Sequence, residues 1–296
     1  MRPLLRGLFV LLLLILDTAL LVTPLLLLAV LRILPGARWR RRCGAGVLRV
    51  AEAWLHLNRA LLLRLLPTRW DIRGAEGLRR EASYLVVCNH QSWVDIPALL
   101  EALAGRTPFF RFFVKQELIW VPFLGLAFWA LDYPFMKRYS RACLAKRPHL
   151  RGRDLEATRR ACARFGEIPA TIVNYLEGTR FTPAKHAAQQ SPYRHLLRPR
   201  SGGLALALGA LGERLEAILD VTLVYPGERA PGFWALLSGQ VPWVIVDIQR
   251  RPVEAWQWQG DYENDPAFRQ RMQAWVSQLW ENKDRRIAAL RDAPAG

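Results

Sequence analysis

Hydrophobic positions divide the chain into an apolar beginning and an alternating remainder. Leu8 to Leu34 is nearly unbroken hydrophobic sequence, interrupted by Asp17 and Pro24, and is long enough for a membrane helix of about 20 apolar residues. From Gly46 to Leu66, GVLRVAEAWLHLNRALLLRLL, apolar residues recur at helical spacing with Arg49, Arg59 and Arg64 between them. That pattern fits an amphipathic helix on a bilayer surface or a helix packed on a soluble core, and the apolar segment before it favours the surface. Pro67 and Thr68 break the helix. They set a boundary between an N-terminal membrane-embedded and interfacial segment, residues 1–66, and a second domain, residues 67–296.

Beyond that boundary short β-type runs alternate with helical ones. Strands are predicted at Arg69–Ile72, Ser83–Val87, Phe109–Lys115, Pro134–Lys137, Ala170–Leu176, Ala217–Tyr225 and Pro242–Ile248. Helices are predicted at Pro97–Leu103, Leu118–Leu131, Asp154–Phe165, Gly203–Leu215 and Pro266–Leu290. Several strands are continuous apolar runs, as expected where both faces are covered. The alternation predicts an α/β fold with a largely parallel central sheet flanked by helices.

Charge narrows the partners. With 42 Lys and Arg against 25 Asp and Glu, the net charge is +17, which calls for nucleic acid, anionic headgroups or a phosphorylated substrate as neighbour. A water-soluble nucleic-acid binder has no use for the apolar segment. That segment exceeds the roughly 7–15 residues of a signal-peptide core and ends in PGARWRRR, so it is expected to be retained. Arg38, Arg40, Arg41 and Arg42 place the bulk of the protein in the cytoplasm by the positive-inside bias. Arg2 and Arg6 on the other flank leave a hairpin or re-entrant segment open beside a single span. Cys43, Cys88, Cys143 and Cys162 form no C-x-x-C pair, which fits free thiols in a reducing compartment.

The chemistry begins at CNHQSWVDIP, Cys88 to Pro97. His90 and Asp95 are five apart and would point away from one another on a regular helix. Pro97 disfavours a helix already running at Ile96, so His90 is expected on a strand-to-helix turn with Asp95 close to the helix start. There the carboxylate can hold one ring nitrogen and leave the other to take a proton, the arrangement of an oriented general base. A competing reading makes Ser92 and Asp95 a capping box and His90 a polar turn residue. A Cys88 nucleophile paired with His90 is a further alternative, but Cys88 closes an apolar strand and reads as a small buried hydrophobe.

A second constellation, NYLEGTRF from Asn174 to Phe181, also follows an apolar strand. Gly178 permits close backbone approach to a ligand, Thr179 and its amide can donate, and Arg180 offers a fork to a phosphate. Glu177 braces Arg180 or accepts a substrate hydroxyl; the competing reading is a tight turn with an exposed ion pair. Lys115 in FVKQEL, and Lys137 with Arg138 in LDYPFMKR, stand at other strand ends. Ligands of α/β sheets collect outside the carboxyl ends of strands. One oriented base and three cationic or amide-donating turns on one rim describe a site that deprotonates a hydroxyl next to a phosphate. The basic stretch from Lys137 to Arg164 is a contact for lipid phosphates or an acidic acyl donor, or simply a solvated surface.

Together these residues resemble the 1-acylglycerol-3-phosphate acyltransferase family, also called lysophosphatidic acid acyltransferases. Its H-x4-D motif is met by His90 and Asp95 and its E-G-T-R motif by Glu177, Gly178, Thr179 and Arg180. Lys115 matches the lysine ahead of EL, and Arg138 the arginine closing the second block, although YPFMKR departs from the commoner form of that block. WVPFLGLAFWALDYPFMKRYSR and DVTLVYPG also resemble a proteobacterial inner-membrane subgroup. The resemblance implies transfer of an acyl group from acyl-CoA or acyl carrier protein to the free hydroxyl of a lysophospholipid at the cytoplasmic face of the bacterial inner membrane. His90 would be the base and Asp95 its orienting acid. Arg180 and Lys115 would hold the acceptor phosphate, and Glu177 with Thr179 the glycerol, without metal or resident cofactor. Two rivals stand beside it: a membrane-tethered nucleic-acid-binding protein or nuclease, and a noncatalytic lipid-binding member of the same fold.

Overall fold

A computed structural model describes residues 2–112, 114–120, 124–133, 135–136, 169–227 and 229–292. The expected helix Asp154–Phe165, together with Lys137 and Arg138, lies outside them.

The chain opens with two long helices, α1 (Pro3–Leu31) and α2 (Ala37–Leu65), joined by a turn at Gly36 with φ of 120°, a conformation that glycine adopts at low cost. They run antiparallel: Asn58 Nδ2 donates to Asp17 Oδ2 at 2.6 Å and Trp54 Nε1 to Thr18 Oγ1 at 3.3 Å. The Asp17 that interrupts the apolar run is therefore buried against α2, where a polar partner offsets the cost of desolvating it. Both ends of α1 also touch the rest of the molecule. The Trp234 ring occupies the space where a side chain at Gly7 would sit, and Arg32 Nη1 lies 2.9 Å from Asp132 Oδ2. Between those ends α1 leaves large apolar side chains uncovered, among them Leu8, Leu12, Ile15, Leu20 and Val30. Helix α2 starts nine residues earlier than its apolar periodicity suggests, taking in the arginine cluster.

The α/β part follows with β1 (Arg69–Arg73), β2 (Ser83–Cys88), α3 (Asp95–Leu103) and β3 (Phe110–Phe112). Next come β4 (Val114–Lys115), a 3-10 turn (Gln116–Trp120), α4 (Leu124–Ala130) and β5 (Phe135–Met136). Then follow β6 (Thr171–Tyr175), α5 (Pro183–Gln189), α6 (Ser201–Leu211) and β7 (Leu215–Val224). The chain ends with α7 (Phe233–Leu237), β8 (Trp243–Arg251), α8 (Ala255–Trp258) and α9 (Pro266–Asp292). Six strands form one sheet in the order β1-β8-β7-β2-β6-β3. Every neighbouring pair is parallel except β7 with β8, so the fold is α/β with a mostly parallel sheet.

Alternation along β2 shows why it reads as continuous apolar sequence. Tyr84, Val86 and Cys88 join the core under α3 and the N-terminal helices, whereas Leu85 and Val87 join the core under α6 and α9. Covered on both faces, the strand has no polar side.

Several expected elements differ, among them the helix foreseen across Leu118–Leu131, which is divided between the 3-10 turn Gln116–Trp120 and α4 (Leu124–Ala130). The strand foreseen across Phe109–Lys115 is divided: β3 pairs with β6 in the main sheet, and β4 pairs with β5 in a separate two-stranded sheet. Helix α3 begins at Asp95 and not at Pro97, because proline in the first turn gives up an amide that has no helical partner anyway.

Candidate active site

Strands β2 and β6 are parallel neighbours, with Cys88 opposite Tyr175. The turns that follow them therefore leave the sheet side by side at its carboxyl rim. Asn89 extends β2 in side-chain form: its Nδ2 donates to the Leu223 carbonyl at 3.0 Å and its Oδ1 accepts the Leu223 amide at 2.9 Å. This mimic of a ladder pair fixes the point at which the chain turns away from β7.

The next residues close on Asp95. His90 Nδ1 lies 2.7 Å from Asp95 Oδ2. The same carboxylate accepts the Gln91 amide at 2.8 Å and the Ser92 amide at 3.1 Å, and its other oxygen takes the Tyr225 hydroxyl at 2.5 Å. Asp95 is fully buried. The contacts favour the dyad over the capping box: Asp95 holds the imidazole and the Ser92 amide, but the Ser92 hydroxyl takes the Val94 amide and the helix is capped at Val94 without a side-chain bond. An acceptor-only carboxylate selects the tautomer with its proton on Nδ1 and leaves Nε2 as the basic nitrogen. Nε2 makes no hydrogen bond to a described residue, and the His90 side chain is 20% exposed. The ring also stacks on Tyr175, centroids 4.1 Å apart, and Tyr175 stacks on Phe112 at 5.8 Å. The alternative nucleophile is excluded: Cys88 is wholly buried and burial pushes its thiol well above the ordinary range, leaving no thiolate to attack.

The E-G-T-R turn is clamped to His90 from both sides. The His90 amide donates to Glu177 Oε1 at 2.9 Å, and the Phe181 amide donates to the His90 carbonyl at 2.7 Å. Glu177 Oε2 accepts the Leu197 amide at 3.0 Å. With no solvent exposure, Glu177 faces the interior, and among the described residues it makes no ion pair with Arg180. Its geometry supports positioning, in place of the expected contact with glycerol. Burial pushes its carboxyl up to about 8, against the pull of the two amides.

Gly178 has φ of 68°, which a β-carbon would strain, and it reverses the chain so that Thr179 and Arg180 emerge. Thr179 Oγ1 accepts from Lys185 Nζ at 2.7 Å, and the same ammonium donates to the Arg180 carbonyl at 3.0 Å. Arg180 lays its guanidinium over Trp93, 4.4 Å from the ring centroid, which holds its fork without using its donors. Lys115 ends β4, in the small sheet, three residues beyond the carboxyl end of β3.

Sequence reasoning singled out none of Asn89, Trp93, Tyr225 and Lys185. Trp93 lies inside the H-x4-D motif and is more than half exposed; an exposed tryptophan between two catalytic-type residues was a usable signal. Tyr225 gives no local signal, because it reaches Asp95 across the sheet from the end of β7.

Comparison with known proteins decides the family. Residues 69–225 match the profile of the Acyltransferase family. The chain belongs to that family. This acyltransferase-family chain is 30% identical over 216 residues to mouse 1-acyl-sn-glycerol-3-phosphate acyltransferase gamma and 28% identical over 218 residues to the human protein of that name, covering 68% of its own length and 51% of theirs in each case. It is 25% identical over 255 residues to chicken lysocardiolipin acyltransferase 1, covering 81% of its own length and 62% of that protein. The chain spans about half the length of the first of these relatives. A crystal structure of the 1-acyl-sn-glycerophosphate acyltransferase PlsC from Thermotoga maritima superposes over 91% of the chain, with a TM-score of 0.47 at 18% identity.

Proposed function

We propose that this chain transfers a fatty acyl group from an acyl thioester to the free hydroxyl of a lysophospholipid, with 1-acyl-sn-glycerol-3-phosphate as acceptor and phosphatidate as product. The observation that carries this reading is the His90–Asp95 contact of 2.7 Å on the carboxyl rim, beside Arg180, in a chain whose named relatives are 1-acyl-sn-glycerol-3-phosphate acyltransferases.

In this mechanism His90 Nε2 takes the proton of the acceptor hydroxyl as that oxygen attacks the thioester carbonyl. Asp95 stabilises the imidazolium that forms, and collapse of the tetrahedral intermediate expels the thiolate, which recovers the proton. Arg180, steadied on Trp93, binds the acceptor phosphate. Lys115 and Arg138 are assigned to substrate phosphates on the strength of the motif resemblance. Thr179 lines the acceptor site, while Glu177 and Gly178 shape the turn that presents Arg180. Much of the rate enhancement comes from holding hydroxyl, base and thioester in line. The chemistry calls for acyl-CoA or acyl carrier protein as co-substrate and for no nucleic-acid partner. The rival nuclease reading wants clustered acidic metal ligands, and among the described residues no group of three His, Cys, Asp or Glu is placed to hold a metal ion.

The lipid substrates set the location. Helix α1 is long and apolar enough to cross a membrane, yet both its ends are tied to the α/β part. A hairpin lying in one leaflet satisfies both facts, with residues 1–66 as the membrane segment and 67–296 as the catalytic domain. The basic flanks and the resemblance to a proteobacterial inner-membrane subgroup support the cytoplasmic face of the bacterial inner membrane. The test is mass spectrometry of lipids formed by purified protein offered lysophosphatidate and other lysolipids with acyl-CoA or acyl carrier protein. Phosphatidate formed at the expense of donor thioester is expected; no product from any lysolipid sinks the assignment.

A further inference from the structure

The turn joining α1 to α2 carries a second cationic feature. The His90 turn sits at the N-terminal end of α1, where the Ser92 hydroxyl bonds the Pro231 carbonyl just before α7, and α7 presents Trp234 to Gly7. At the other end of the helix, which is about 40 Å long at 1.5 Å per residue, a cavity of about 330 Å³ opens between the α1–α2 turn and α4. Arg32, Arg40, Asp132 and Trp129 line it, with Ala29 and Ile33 as its apolar wall.

Its charges are unequal. Arg32 is paired with Asp132 at 2.9 Å, whereas Arg40 makes no ion pair among the described residues, so the cavity keeps one uncompensated cation. Its surroundings are those of a membrane interface. Val30 and Ile33 are 62% and 69% exposed, which gives an apolar wall running from the cavity along α1. The rings of Trp39 and Trp129, each more than 40% exposed, stand beside it as interfacial tryptophans do. Cationic pockets beside membrane helices suit acidic headgroups. We propose that this cavity binds the phosphate of an anionic diacyl phospholipid of the membrane, with the acyl chains along the Val30–Ile33 surface. Arg40 and Arg32 hold the phosphate, and Asp132 competes with it for Arg32. The bound lipid fixes the α1–α2 turn at headgroup depth. This rests on the membrane reading of α1 and α2 but not on the acyl-transfer reaction.

The experiment is flotation of the full-length chain with vesicles of phosphatidylcholine, with and without phosphatidylglycerol. Arg40→Gln is expected to weaken partition onto the acidic vesicles about fivefold and to leave partition onto pure phosphatidylcholine unchanged. Arg41→Gln, an equal loss of charge outside the cavity, serves as control: its effect vanishes in about 0.5 M salt, where surface attraction is screened, while that of Arg40→Gln persists. Asp132→Asn frees Arg32 and should tighten acidic-vesicle binding; Asp132 has φ of 55°, a region asparagine tolerates. Equal losses for Arg40→Gln and Arg41→Gln at both salt levels, or no gain from Asp132→Asn, overturn the proposal. Release of the protein from acidic vesicles by millimolar inorganic phosphate likewise overturns it, since the site would then take free phosphate. Failure of the unaltered chain to bind either vesicle would instead break the membrane reading.

Discussion

The turns after β2 and β6 each bury a carboxylate, and the two carboxylates are used differently. Asp95 gathers donors of three kinds, an imidazole, backbone amides and a tyrosine hydroxyl. Among the described residues Glu177 gathers two backbone amides and nothing else. In the proposed reaction the first arrangement holds the side chain that accepts and returns a proton; the second holds the backbone on which that side chain is mounted. A buried acid in a motif can therefore serve chemistry or geometry, and its partners tell which.

The largest effect that separates the two roles is expected from Asp95→Asn. An amide in place of the carboxylate favours the wrong imidazole tautomer, and kcat should fall roughly 10³- to 10⁴-fold with little change in KM, measured as acyl transfer at saturating acceptor. A fall confined to KM would move Asp95 out of the dyad. Glu177→Gln should act on the fold, destabilising it by about 1–3 kcal/mol because an amide NH₂ then faces a backbone donor. Its pH dependence has a definite sign. The folded carboxyl titrates near about 8 and the ordinary value is 4.5, so between those values the native state holds a proton that the unfolded chain releases. Stability from this group is greatest below about pH 4.5, declines as pH rises through 8 and is level above it. Denaturant titrations should thus show the Gln variant losing more relative to Glu at pH 5 than at pH 9; a constant difference would mean that Glu177 does not titrate in this range.

How much of this was legible in the sequence follows from the same contrast. Spacing was enough to put His90 and Asp95 on one turn, because a strand end, a polar turn and Pro97 leave few ways for the chain to run. The E-G-T-R stretch was legible as a turn from Gly178, but not the direction in which Glu177 points, since a left-handed glycine reverses the chain and the side chain before it falls inside or outside according to packing. The antiparallel pairing of β8 with β7 was equally hidden, because a strand covered on both faces carries no mark of its direction. Asp17 looked like a flaw in a membrane helix, and only the partner Asn58, 41 residues away, makes it a fastening of the hairpin.

Smaller effects sharpen the account of the β2 turn. Tyr225→Phe removes one donor from Asp95 and should lower kcat about tenfold, the loss of a hydrogen bond to a charged group, with KM nearly unchanged. An unchanged kcat would give Tyr225 a packing role alone. Trp93→Ala releases the Arg180 guanidinium and should raise KM for the phosphorylated acceptor about two- to fivefold with kcat nearly unchanged. An unaltered KM would detach Arg180 from phosphate binding.

The most direct measurement is made on His90→Ala, following acyl transfer from thioester to lysophosphatidate and, in the same preparation, binding to phospholipid vesicles. The account predicts no detectable transfer with vesicle binding unchanged. Turnover at a rate near that of the unaltered chain would contradict it.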